Sequence, residues 1–140
     1  MAIMALDVGS KRIGVAVADP SRTFALPATT VERSNLKADL ARLRELFEEH
    51  GVDELIIGDP IALSGERGIA AQKMDEFVER LRAVYDGAIH RVDERMTTAA
   101  ATKTLIAADV SRAKRKRAVD AMAAALILET YLARRGRETP

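Results

Sequence analysis

Two short apolar runs open the chain, Ile3 to Val8 and Ile13 to Ala18, divided by the polar turn Gly9-Ser10-Lys11. Their length and branched side chains predict two strands of a hairpin. A looser third strand is expected over Thr23 to Val31, and Pro27 within it fits a sheet edge, where no ladder N–H is needed. From Ser34, a candidate N-cap, Leu36, Leu40, Leu43 and Phe47 recur at helical spacing until His50-Gly51 ends the run. Leu55-Ile56-Ile57-Gly58 is short and wholly apolar, as a strand covered on both faces should be. After the polar loop Leu63 to Gly68, Ala70, Met74, Phe77, Leu81 and Val84 predict a second amphipathic helix, and Ala88 to Val92 a fifth strand. Thr97 or Thr98 would cap a helix reaching about Ala108. After Asp109-Val110-Ser111 a last helix would run to about Arg135 with Val119, Met122, Ala123, Leu126 and Ile127 inward.

Strands that alternate with helices after a three-strand meander predict an α/β fold. Its sheet would be mixed and five-stranded, three strands antiparallel and the rest added in parallel by crossovers, with helices flanking it. No linker, repeat or low-complexity stretch interrupts the pattern. One domain is expected over residues 1–135, with 136–140 a frayed tail.

Composition narrows the chemistry. Aromatic residues make up 4% and there is no Trp, so the core must come from Ala, Val, Leu and Ile, and a base-stacking platform is not expected. Without cysteine there are no disulfides, thiolate metal sites or cysteine nucleophiles. No leader pattern precedes the first strand and no window is long enough to cross a bilayer, so a cytoplasmic protein without membrane contact is expected. The net charge of +1 marks no partner, but Arg112-Ala113-Lys114-Arg115-Lys116-Arg117 concentrates five cations beside Asp120.

Certain acids fit their elements badly. Asp7 interrupts a hydrophobic strand, where an unpaired carboxylate needs a cation, hydrogen-bond donors or water. Asp120 shares its helix face with Ala123, Ala124, Ile127 and Tyr131, an alanine-rich stripe suited to close packing on a sheet; it is a ligand or the partner of a base such as Arg117. Asp93 and Glu94 are adjacent and must point different ways, and the pattern alone does not choose between them. His50 and His90 read as structural.

Leu6-Asp7-Val8-Gly9-Ser10-Lys11-Arg12-Ile13-Gly14-Val15-Ala16 resembles the first motif of the YqgF/RuvX family. Asp93-Glu94-Arg95-Met96-Thr97-Thr98 resembles its second acidic motif, and Arg115-Lys116-Arg117-Ala118-Val119-Asp120 with Ala123-Ala124 its last. The three motifs occur in order across nearly the whole chain. The resemblance implies a ribonuclease H-like fold and a nuclease of 5'-end maturation of precursor 16S ribosomal RNA. Through kinship with RuvC-type enzymes it also implies, as an alternative, a Holliday junction resolvase acting on branched DNA. It selects Asp7, Glu94 and Asp120 as the catalytic, metal-holding acids. One position departs from the family: Gly58-Asp59-Pro60 stands where Gly-Leu-Pro is usual, so Asp59 is either a fourth carboxylate at the rim of the site or an exposed loop acid.

Such a set would hold Mg²⁺ or Mn²⁺, which prefer hard oxygen ligands. Two such ions roughly 3.5–4 Å apart activate water, neutralise the phosphate and stabilise the leaving oxygen. Asp7 would bridge them, with Glu94 and Asp120 outside. Lys11, Arg12 and Arg95 would neutralise nearby phosphates, and Arg112, Lys114, Arg115, Lys116 and Arg117 would follow a nucleic-acid backbone. The expected partners are precursor rRNA or branched DNA and, beyond these, ribosomal assembly particles. The protein would act as a monomer or homodimer. Two other classes stay open: a phosphate-binding ATPase with an Asp-x-Gly hairpin, which normally needs a second lobe that 140 residues do not provide, and a non-catalytic ribosome-associated module.

Overall fold

The structure, a computed structural model, describes residues 2–18, 25–59, 68–93 and 112–138, of which 112–120 and 136–138 are described by backbone alone. Strands β1 (Ala2–Val8), β2 (Arg12–Ala18) and β3 (Ala25–Glu32) lead into helix α1 (Leu36–His50). Then come β4 (Val52–Asp59), α2 (Ile69–Leu81), β5 (Ala88–Asp93) and α3 (Arg112–Glu138). The expected helix over Thr97 to Ala108 lies outside the described residues.

One mixed sheet runs in the order β3-β2-β1-β4-β5. β1, β2 and β3 are antiparallel neighbours, while β4 lies parallel to β1 and β5 parallel to β4. This is the predicted mixed sheet, and Pro27 lies on its edge strand as expected. The β2–β3 register slips between Val15 and Ala16, where Thr29 and Pro27 are the successive partners, so Ala28 is the extra residue of a bulge.

The two faces carry separate cores. Met4, Leu6, Ile13, Val15, Leu55 and Ile57 pack against Leu43, Leu46 and Phe47 of α1 and Met74, Phe77, Val78 and Leu81 of α2. Ile3, Ala5, Ala16, Ile56 and Val92 pack against Ala124, Ala125, Ile127 and Leu128 of α3. The central strands are therefore buried on both sides, which explains their unbroken apolar runs. The alanines of α3 let its backbone lie close to the sheet. Its inward stripe differs in part from the expected one: Met122 is exposed, and Ala124, Ala125 and Leu128 are buried instead.

The helix ends follow local chemistry. Asn35, not Ser34, caps α1: its side-chain oxygen accepts the Ala38 N–H at 2.9 Å. Gly51 closes that helix in the left-handed region at φ 62°, where a side chain would be strained. At the other end of the chain, α3 continues to Glu138, three residues past the expected stop.

The C-terminal half of α3 is tied to the start of β4. The hydroxyl of Tyr131 donates to Glu54, and Arg135 Nη1 donates to Glu54 Oε1 at 2.8 Å. His90 stacks on Tyr131 and lies 3.6 Å from the same carboxylate. Burial acts to raise the pKa of Glu54, but the bonds from Tyr131 and Arg135 and the charges of Arg135 and His90 outweigh it and hold the pKa below its ordinary 4.5. A depressed carboxylate contributes stability that is present above its unfolded value and is lost as pH falls through its folded one. The advantage of the wild type over Glu54→Gln should therefore be full near neutral pH and shrink below pH 4.5, as read by thermal melts of both proteins across that range.

Candidate active site

β1 is the middle strand of the sheet, and its last turn inward is Asp7. Ile3 and Ala5 face α3, Met4 and Leu6 face α1 and α2, and alternation places Asp7 on the α3 side. Its residue is only 5% exposed. Across the ladder its partner is Gly14, which offers no side chain, so the α3-facing surface beside Asp7 is bare backbone on that side. A buried carboxylate at a strand's C-terminal end, in the middle of a sheet, is where crossover topology gathers reactive groups.

Position 120 can be placed through the backbone of α3. Tyr131 and Arg135 fix the helix over Glu54, and eleven residues separate position 120 from Tyr131, a rise of about 16 Å. Leu6 pairs with Ile57, so Asp7 is level with Gly58, four residues and about 13 Å along β4 from Glu54. The helix therefore carries position 120 to the same end of the sheet as Asp7. One and two turns farther along α3, Ala124 and Ile127 are buried against the sheet. Glu94 and Arg95 lie outside the described residues, as does the side chain of Asp120.

The ambiguity between Asp93 and Glu94 narrows on geometry. Val92 packs with the α3-side core, so its neighbour Asp93 points to the opposite face, away from Asp7. Asp59 pairs in register with Asp93 and shares that opposite face, being next but one to Ile57. It is not the exposed loop acid of one reading, since it ends β4 and is 6% exposed. Its carboxylate accepts Arg91 Nη2 at 2.8 Å, and Arg91 Nη1 reaches Asp75 of α2 at 3.0 Å. Asp59 thus joins the sheet to α2, on the side of the sheet that Asp7 does not face. The departure from the family pattern at position 59 is matched by a guanidinium.

The cations divide similarly. Lys11 is exposed in the β1–β2 turn. Arg12 lies on the α3 side, two residues before Gly14, and its Nε donates to Glu32 at 2.9 Å. Residues 112–117 form the first turns of α3, with no acid in its first turn to offset them. Cations at a helix N-terminus oppose the dipole, so the helix gains nothing from that block.

Two residues at this end of the molecule escaped sequence reasoning. Arg33 donates from Nη1 to the Gly9 carbonyl at 2.9 Å and from Nε to Asp39 Oδ2 at 3.2 Å. Asp39 is 3% exposed and also accepts the Ser34 N–H at 3.0 Å. A signal was present: Asp39 precedes Leu43 by four residues and Leu46 by seven, so an acid sits on the apolar stripe of α1.

The described part of the site presents hard oxygen donors, the kind that suits Mg²⁺ or Mn²⁺ better than softer metals. Among the described residues no three His, Cys, Asp or Glu side chains converge on one point. Among the described residues no helix is long and apolar enough to cross a membrane.

Known proteins resemble this chain over most of its length. A family model described as "RuvX: Holliday junction resolvase" matches residues 1–134. A protein of Moorella thermoacetica named "Putative pre-16S rRNA nuclease" is 45% identical over 98% of both chains. One of the same name from Thermoanaerobacter pseudethanolicus is 46% identical over 94% of this chain and 96% of its own. Among solved structures, RuvC of T. thermophilus in complex with a Holliday junction superposes with a TM-score of 0.62 at 16% identity, covering 97% of this chain and 96% of its own. The resolvase of fowlpox virus gives 0.52 at 11% identity, over 96% of this chain and 98% of its own. The likeness to these structures shows the fold. With the sheet order, the near full-length relatives and the family match together, this chain belongs to the RuvX family of nucleases and has a ribonuclease H-like fold.

Proposed function

We propose that this protein hydrolyses phosphodiester bonds in precursor 16S ribosomal RNA, with a divalent ion, Mg²⁺ or Mn²⁺, held by Asp7, Glu94 and Asp120. The observation that carries this reading is the buried Asp7 carboxylate at the end of the central strand, facing α3 across from a bare glycine. The relatives named for pre-16S rRNA span almost all of the chain and support the choice of substrate. Asp93 points away from Asp7, which favours Glu94 as the acid of its motif.

A bound dication would supply Lewis acidity to the phosphate and lower the pKa of an attacking water. Each residue of the chain has a simpler task. Asp7, locked between two paired strands, gives a donor whose position does not shift when substrate arrives. Lys11, Arg12 and Arg95 would set the phosphates on either side of the cut, and Arg12 reaches them from the same face of the sheet as Asp7. Arg112, Lys114, Arg115, Lys116 and Arg117 would follow the backbone beyond it. A backbone contact of this kind is independent of sequence and weakens with salt. Replacing Lys114, Arg115 and Lys116 together by Ala should reduce the slope of log affinity against log salt by about 2 for single-stranded RNA. An unchanged slope in a fluorescence-anisotropy titration would remove this block from the contact surface.

Cleavage of precursor 16S rRNA against a synthetic four-way DNA junction, each with Mg²⁺ and Mn²⁺, tests the substrate directly. The RNA should be cut at its 5' end and the junction left intact. The family model's description favours the junction as the second reading, and symmetric cutting of the junction with the RNA untouched would establish it. A junction is resolved by two sites at once, so that outcome also requires a homodimer, whereas one RNA strand needs a monomer only. We place the reaction in the cytoplasm, on ribosomal assembly particles that carry the precursor.

A further inference from the structure

The turn between β1 and β2 is held from outside the hairpin. The Arg33 side chain binds the Gly9 carbonyl, and its backbone N–H donates to the Lys11 carbonyl at 2.9 Å. One residue thus grips both ends of Gly9-Ser10-Lys11. Arg33 is itself held by the buried Asp39 and by the ring of Phe77, 5.6 Å from its guanidinium carbon. Inside the turn, the Gly9 N–H donates to the Arg12 carbonyl at 2.8 Å, and a Cβ on Gly9 would meet that oxygen at 2.9 Å. Asp39 is therefore fixed on α1, Arg33 on Asp39, and the turn on Arg33.

A solvated loop has no need of such a clamp. Ser10 and Lys11 are exposed at the tip, three and four residues after Asp7. Fixing the backbone that carries Lys11 removes part of the ordering cost of substrate binding, so its contact with a phosphate is stronger. We propose that Arg33, anchored by Asp39, is a positioning residue for nucleic-acid binding. It acts through Lys11 by holding the β1–β2 turn in the form in which that ammonium meets a substrate phosphate. This inference rests on the reading of Lys11 as a phosphate contact, and adds Arg33 and Asp39 to the machinery.

The test is a double-mutant cycle on binding, which needs no cleavage. A labelled single-stranded RNA is titrated across a salt series in EDTA with wild type, Lys11→Ala, Arg33→Ala, the double variant and Asp39→Asn. Losing one phosphate contact lowers the salt slope by about 0.7 for a single strand. Lys11→Ala and Arg33→Ala should each show that loss, and the double variant no more than either alone. Asp39→Asn, which keeps the shape of the acid but not its charge, should move in the same direction by a smaller step. A full wild-type slope for folded Arg33→Ala, with only a lower melting temperature, would reduce Arg33 to a structural residue. Losses that add in the double variant would also overturn the proposal, because Arg33 would then be touching phosphate itself. Should Arg33→Ala fail to fold, Asp39→Asn decides: an unchanged slope there refutes the clamp. Binding that couples in this way without any RNA cleavage by the wild type would leave the clamp standing and refute the nuclease reading. Cleavage with no coupling would do the reverse.

Discussion

Asp7→Asn is expected to leave a folded protein that no longer cleaves nucleic acid and is no longer stabilised by Mn²⁺. Asparagine matches the shape of the buried side chain, so packing between β1 and α3 is preserved. It loses the charge on which a hard cation depends. Changing only an outer partner of a metal ligand costs about 10–100-fold in affinity or activity, and losing a ligand itself should exceed that range. The wild type, saturated with Mn²⁺ at a hundred times its dissociation constant, should gain about 2.7 kcal/mol of stability. Thermal melts with and without the ion, alongside single-turnover cleavage, measure both effects on one preparation. A variant that cuts RNA at the wild-type rate would remove Asp7 from the chemistry. One that is still stabilised by Mn²⁺ would place the ion elsewhere.

The second large effect concerns stability. Asp59→Leu strips Arg91 of the more buried of its two described acidic partners. The Asp59 side chain is 8% exposed and that of Arg91 26%, and among the described residues Arg91 Nε has no hydrogen-bond partner. Breaking a buried pair from one side typically costs about 3–5 kcal/mol, and the partial exposure of Arg91 lowers this case to about 2–3 kcal/mol. Asp75 remains as a second partner, but it is half exposed and screened by solvent. Removing both charges with Asp59→Leu and Arg91→Leu should recover most of the loss, since an apolar pair fits a face already lined by Leu55, Ile57 and Met74. Urea melts of the three proteins measure this. Metal affinity should be the same in all three, because Asp59 faces away from Asp7. A weakened Mn²⁺ response in the single variant would return Asp59 to the site.

Much of this architecture was legible in the chain. Five strands and the three described helices followed from apolar spacing, and Pro27 marked the edge. The resemblance supplied the fold family. Where the reading slipped, a neighbour in space was responsible. Ser34 and Asn35 are both good caps in isolation, but Asp39 accepts the Ser34 backbone N–H and leaves the capping role to Asn35. Met122 fits a helical stripe by spacing, yet the close fit of α3 on the sheet favours the alanines at 124 and 125 over the larger side chain. Asp59 was compatible with a site because a strand's end says nothing about which face its last residue takes.

The local code of this sequence determined which segments pair and pack, because period-two and helical spacing of apolar residues are properties of neighbours along the chain. It also marked Asp7 as an acid out of place. Tertiary structure alone decided which acids share a side. Alternation from Leu6 and Ile57 sends Asp7 toward α3 and Asp59 toward α2, and only the register of β1 on β4 makes those directions comparable. The pairing of β1, β2 and β3 brings Arg33 to Gly9, and that of β4 and β5 brings Arg91 to Asp59, across long stretches of chain. Such pairings depend on strand order and face, which no linear spacing of residues encodes.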